Sequence, residues 1–190
     1  MNAFVGRVFT VGQEFNPNEI DTVHGQSSQI NIAELKNLTF KNLRMWNCEK
    51  CDFRLLYFRD FSNLVWIDLY MNKIKNASFI AQCRNAELVN LCDNQIQHLD
   101  FLLDLLKLRG FYINRNKIQD IEEFVYLADK QNLTAIQANG NPCGEKHLEY
   151  IQPILGMKIA CFERVKDNID YLEPHQKWLR KLEDIRAKKK

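Results

Sequence analysis

Apolar residues in the middle of the chain return at a fixed interval. NLVWIDLYMNKI at 63–74, NAELVNLCDNQI at 85–96 and KLRGFYINRNKI at 107–118 follow the pattern L-x-x-L-x-L-x-x-N-x-I. Their asparagines, Asn72, Asn94 and Asn116, are separated by two successive intervals of 22 residues. NLTAIQANGNP at 132–142 puts Asn141 at the same point 25 residues on, and FKNLRMWNC at 40–48 puts Cys48 there 24 residues before Asn72. Five turns result. The apolar positions between copies repeat as well: Ile96, Leu99, Leu102 and Leu105 return as Ile118, Ile121, Phe124 and Leu127, while Ala77 and Cys83 loosen the preceding copy.

A repeat of this length predicts one supersecondary unit per copy, stacked so that each covers the apolar face of the next. The alternating pairs Ile67 and Leu69, Val89 and Leu91, Phe111 and Ile113 predict short strands with those side chains inward. The turn after each strand leaves backbone groups outside any regular ladder. An inward asparagine carries both donors and an acceptor for them, and a cysteine replaces it in part. The ten or so returning residues are too few for a long helix, so 3₁₀ or single-turn pieces are expected on the outer face.

These copies resemble the leucine-rich repeat of the 22-residue, phosphatase-regulator (SDS22-like) subclass over about residues 30–165. The resemblance implies an α/β solenoid of about five turns with a curved parallel sheet on its concave face. It also implies a C-terminal cap: Asn141-Pro142, an amphipathic helix at 147–155 carrying Tyr150, and a last strand at 157–162. Ile151 and Cys161-Phe162 depart from the cap's usual residues. The expected organisation is an N-terminal arm or cap at 1–29, repeats at 30–140, the cap at 141–165 and a basic helix at 166–190. LRMWNC, NLVWIDLYMNKI and ERVKDNIDYLEPHQKWLRK are similar to the small family of leucine-rich repeat-containing protein 51, which implies a place in cilia or flagella.

On such a sheet the residues between the inward ones face outward. Arg44, Trp46, Trp66, Asp68, Tyr70, Leu88, Asn90 and Tyr112 are the candidate partner-binding set, because large aromatics on a rigid surface make an interface core. Coverage of that patch by the chain's own N-terminal arm or C-terminal helix is the alternative. The arm itself holds Phe4, Val5, Val8, Phe9, Val11 and Phe15, too apolar for a plain tail. It fits a cap on the first coil or a docking arm equally well.

Charge changes the picture only at the end. The 190 residues carry a net +2, but from Gln176 to Lys190 seven Lys/Arg stand against two Asp/Glu, leaving the rest at −3. Trp178, Leu179, Leu182 and Ile185 recur at helical spacing with Lys177, Arg180, Lys181 and Arg186 around them. Two readings follow: a helix packed on the last coil, or a basic helix reaching an acidic partner such as tubulin tails or RNA phosphates. The weak overall charge argues against direct nucleic-acid binding. No apolar run approaches the ~18 residues of a membrane span, and the start lacks a signal-peptide profile, so a cytoplasmic protein is expected.

Catalytic chemistry is not in evidence. Cys48-x-x-Cys51 is a single pair where structural zinc needs four ligands, and the other cysteines suit buried thiols. The four histidines lie at no motif spacing, and no glycine-rich phosphate loop is present. Neither metal nor cofactor is expected. The reading is a non-enzymatic scaffold for protein–protein contacts, axonemal or microtubule-associated by resemblance. The alternatives are ribonucleoprotein (spliceosomal-type) assembly through an RNA-binding partner and regulation of a phosphatase.

Overall fold

A computed structural model describes the backbone of residues 4–5, 22–26, 42–46, 62–144 and 172–189, and the side chains of 62–144 and 175–189. The strands are β1 (Phe4–Val5), β2 (Thr22–Gln26), β3 (Asn42–Trp46), β4 (Trp66–Asp68), β5 (Leu88–Asn90), β6 (Gly110–Tyr112) and β7 (Ala135–Gln137). They form one seven-stranded sheet in chain order, parallel from β2 to β7 with β1 antiparallel at its edge. The sheet thus runs one parallel strand further toward the N terminus than the repeat pattern indicates. Thr22–Gln26 matches β3 from Thr22↔Asn42 to Gln26↔Trp46, although it has none of the leucines that mark the later copies.

Strands β4 to β7 are only three residues long because the period leaves room for one pleat before the chain turns. Backbone pairing nevertheless continues past it. Leu69, Leu91 and Ile113 donate to Asn90, Tyr112 and Gln137 at 2.7–2.8 Å, and Met71, Asp93 and Arg115 to Cys92, Asn114 and Asn139 at 2.8–3.0 Å. Met71, Asp93, Arg115 and Gly140, one per turn, sit at φ between 51° and 71°, the left-handed region that bends the chain out of the sheet.

The asparagine after each bend stands in single file with the next. Asn72, Asn94, Asn116 and Asn141 are all buried. Asn94 Oδ1 accepts from the Ile74 N–H at 3.0 Å, Asn116 from Ile96 at 3.0 Å and Asn141 from Ile118 at 3.3 Å. Their amides donate both to their own turn and to the one before: Asn116 Nδ2 reaches Ile113 O and Leu91 O, and Asn141 Nδ2 reaches Ala138 O and Ile113 O. The described turns are thereby stitched to one another from inside.

Between sheet and outer face lies one apolar core. Ile67, Val89, Phe111 and Ile136 stack in one file and Leu69, Leu91, Ile113 and Ala138 in another, all buried. The outer side is closed by 3₁₀ segments η1 (Ser78–Gln82), η2 (Asp100–Leu102) and η3 (Ile121–Leu127). Ile80, Leu102 and Phe124 point inward from them, and Phe101 meets Phe111 edge-on with centroids 6.5 Å apart. Asn76 and Asp120 start η1 and η3 by accepting the N–H two residues on, at 2.9 Å in each case.

Helix α1 (Leu172–Lys188) lies on the outer side against η3, where Trp178 and Leu182 enter the core and Leu179 and Ile185 pack on its margin. Cys83 and Cys92 are buried and Cys143 is half-buried, all as free thiols. Cys48, Cys51 and Cys161, the cap helix at 147–155 with Tyr150 and the strand at 157–162 lie outside the described residues.

Candidate functional site: the concave sheet face

Register sorts the outward residues into files across the sheet. Asn42, Trp66, Leu88, Gly110 and Ala135 are partners in one file, and Arg44, Asp68, Asn90, Tyr112 and Gln137 in the next. A third, past the strand ends, holds Tyr70, Cys92, Asn114 and Asn139. Trp46, two residues beyond Arg44, falls at the level of Tyr70. The side chains of Arg44 and Trp46 lie outside the described residues. Adjacent strands are about 4.8 Å apart, so neighbours in a file touch.

The aromatic set, spread over the three files, differs from the open display that alternation predicts. Trp66, Tyr70, Leu88 and Tyr112 are half-buried, not fully exposed. Among the described residues, the large apolar ones that do stand out, Met71 at 44% and Leu106 at 52%, belong to the bend and to the outer loop after η2. Crowding within the concave curve explains the partial cover. Tyr112 folds back over Gly110: a Cβ built there would lie 3.5 Å from its ring, 3.6 Å from its hydroxyl and 3.6 Å from Leu88 Cγ. Alternation marks which side a residue faces, but it carries no information on a neighbour leaning across.

The polar floor is satisfied from within. Asp68 is buried, and its Oδ1 accepts from the Asn90 amide at 3.0 Å and from the Tyr70 N–H at 3.3 Å. Asn90 Oδ1 accepts from the Cys92 N–H at 3.1 Å, repeating the motif one turn on. Tyr112 interrupts this file, and beyond it Asn114 donates to Gln137 at 2.9 Å and accepts from the Asn139 N–H at 2.8 Å. Cys92 sits in this floor with its thiol pushed above the ordinary range, chiefly by burial, which holds it as the neutral thiol. At the rim Arg115 forks onto Asp93, with Nε 2.6 Å from one oxygen and Nη2 2.5 Å from the other. The surface is a pre-shaped, hydrogen-bonded plate with apolar rings set into it.

The basic helix is disposed differently from its sequence. Lys181 pairs with Glu122, Arg186 with Asp129, and Lys189 with Asp100 at 3.2 Å, all carboxylates of the solenoid. Lys181 and Lys177 also stand 5.3 and 6.0 Å from the centre of the Trp178 ring. Lys177 and Arg180 are exposed. Lys181 and Arg186 are therefore engaged with carboxylates of this chain.

Lys130 escapes sequence inspection altogether. It is 4% exposed beneath α1, with Nζ 2.6 Å from Asp129 Oδ1 and 3.3 Å from Leu103 O. Burial lowers its pKa, opposed by the Asp129 carboxylate. Nothing in DKQN at 129–132 distinguishes this lysine from a surface one. Among the described residues no cluster of His, Cys, Asp and Glu is suited to a metal ion, and no helix is long and apolar enough to cross a membrane.

Among solved structures, the fold is similar to an internalin (InlF) of Listeria monocytogenes, with a TM-score of 0.52 at 20% identity over 75% of this chain. The match spans 41% of that internalin, about two fifths of its length. Internalin C2 of the same species gives 0.49 at 23% identity over 71% of this chain and 78% of that one. A leucine-rich repeat protein of Leptospira interrogans gives 0.41 at 16% identity, over 67% and 50% of the two chains. No protein-family model matches the chain, and no curated protein does. The architecture is that of a leucine-rich repeat solenoid.

Proposed function

We propose that this solenoid is a non-enzymatic scaffold that binds other proteins on its concave face, as a structural component of a ciliary or flagellar axoneme. The observation that carries the binding reading is the plate itself: Trp66, Tyr70, Leu88 and Tyr112 half-buried on a sheet whose polar floor is hydrogen-bonded within the chain. Such a surface loses little conformational entropy on association, and its rings supply the apolar anchors that dominate interface energies. Arg44 and Trp46 continue the same files by register and belong to the proposed surface. The axonemal placement rests on the resemblance of LRMWNC, NLVWIDLYMNKI and the segment after 162 to leucine-rich repeat-containing protein 51.

The test is affinity purification from native cells, comparing the parent with Trp66→Ala/Tyr70→Ala. The expected result is a set of axonemal proteins that resists salt and detergent extraction and is lost from the double variant, while circular dichroism is unchanged. Recovery of a phosphatase catalytic subunit or of ribonucleoprotein components would replace the axonemal placement while keeping the face. An unchanged partner set from the double variant would sink the face.

A further inference from the structure

The outer side of the solenoid, where α1 lies, has the composition of a receptor groove. Asp100, Glu122 and Asp129 present carboxylates along it, and the margins of η2 and η3 supply Leu103, Ile121 and Tyr126. Its occupant in this chain matches residue by residue. Trp178 and Leu182 enter the apolar floor, and Lys181, Arg186 and Lys189 meet the three acids. Arg186 also donates to Leu103 O at 3.1 Å, the carbonyl that Lys130 reaches from below. These positions, i, i+3, i+4, i+8 and i+11, fall on one face of a helix.

The strength of this attachment is modest. Among the described side chains of the helix only Trp178 and Leu182 are buried, and the three cations of the seam remain 34–46% exposed. Ion pairs at that exposure each shift an equilibrium by roughly a factor of five at most, and salt weakens them further. The solenoid core, by contrast, is a continuous file of buried residues stitched by the asparagines. The helix is thus held by Trp178 and Leu182 at the edge of the core and by an ionic seam that salt weakens, while the asparagine stitching runs between the turns of the solenoid, which stay wound when the helix leaves.

We propose that the groove along η2 and η3 is a binding site for a basic amphipathic helix, that α1 is its resident and exchangeable occupant, and that a partner's helix with the same aromatic–basic–leucine–basic pattern takes its place. The site is separate from the concave face and does not depend on the reading of that face.

Hydrogen exchange of the full chain tests the first half. Amides of 172–188 are expected to exchange several-fold faster in 0.5 M than in 0.05 M salt, with those of β5 and β6 unchanged, and Arg186→Gln should reproduce the effect at low salt. Arg186 lies on α1 and outside the solenoid core, so the variant folds independently of the outcome. A labelled synthetic peptide of residues 172–189 tests the second half. It should bind the Arg186→Gln chain about fivefold more tightly than the parent, because the resident helix yields more readily. Exchange of α1 only in step with β5 and β6 at every salt concentration would overturn the exchangeable helix. Equal binding of the peptide to both chains, or to neither, would overturn the receptor groove.

Discussion

Asn116 Oδ1 accepts the backbone N–H of Ile96 at 3.0 Å, although 20 residues of chain separate them. The pair lies one turn apart in the solenoid, fully enclosed, and the same amide group donates back to Leu91 O at 2.8 Å. One side chain therefore terminates the hydrogen bonding of two turns at once.

Replacing it should be costly out of proportion to its size. Asn116→Ala leaves one buried donor and two buried acceptors without that partner, a loss of about 3 kcal/mol at 1–3 kcal/mol per orphaned group with partial relaxation. Urea unfolding is expected to show the midpoint falling accordingly. Asn139→Ala, whose side chain is exposed on the rim, should change stability by less than about 0.5 kcal/mol. Equal effects from the two would contradict the inward role of the file.

The bends make a second contrast. Gly140 holds φ +71°, and an added Cβ would come within 3.0 Å of Arg115 Cγ. Gly140→Ala should therefore lower stability by about 1–2 kcal/mol, the ordinary cost of a left-handed L-residue. Met71 already bears that strain at φ 54° with its side chain exposed, so Met71→Gly should be neutral or gain up to about 1 kcal/mol. Thermal unfolding of the two variants reads both signs.

His98 gives a pH signature. Its Nδ1 lies 3.0 Å from Glu123 Oε1, and this hydrogen bond is the main cause raising its pKa above the ordinary 6.5. The protonated form is favoured in the fold, so its contribution is fully present below pH 6.5 and disappears as pH rises through the higher folded midpoint. Proton NMR should place the His98 titration above 6.5, and Glu123→Gln should return it toward that value. An unshifted midpoint in the parent would refute the pair.

Lys130 separates two substitutions of adjacent residues. Asp129→Ala removes the carboxylate facing both Lys130 and Arg186 and should cost about 3 kcal/mol, since the lysine is left buried without its counter-charge. Lys130→Met keeps the Asp129–Arg186 pair and fills the same space, so stability should change by less than about 1 kcal/mol in either direction. The folded lysine binds its proton less tightly than the unfolded one, so stability rises with pH from the lowered folded value to the ordinary 10.5, and this slope should vanish in Lys130→Met. Chemical denaturation across pH 7–11 measures both.

The repeat was legible because its cause is local and periodic. Ile67 and Leu69, Val89 and Leu91, Phe111 and Ile113 recur at the interval that brings each strand over the last, and no residue outside the repeat is needed to place them. The strand at 22–26 was not legible: it pairs with β3 through backbone groups, and its side chains carry no leucine pattern to announce it.

The order of residues was enough for the winding, the inward file and the side that each residue of β4 to β7 faces, since all three follow from a 22-residue period acting on alternating side chains. The remaining features depend on groups far apart in the chain. The folding of Tyr112 over Gly110 is set by the curve of the sheet, and the surroundings of Lys130 include Arg186, from a helix that begins some forty residues later, on the same Asp129 carboxylate and Leu103 carbonyl. The basic residues of that helix are attached to the solenoid because Glu122, Asp129 and Asp100 reach one edge only after winding. Pairing across such distances leaves no periodic trace for a sequence to show.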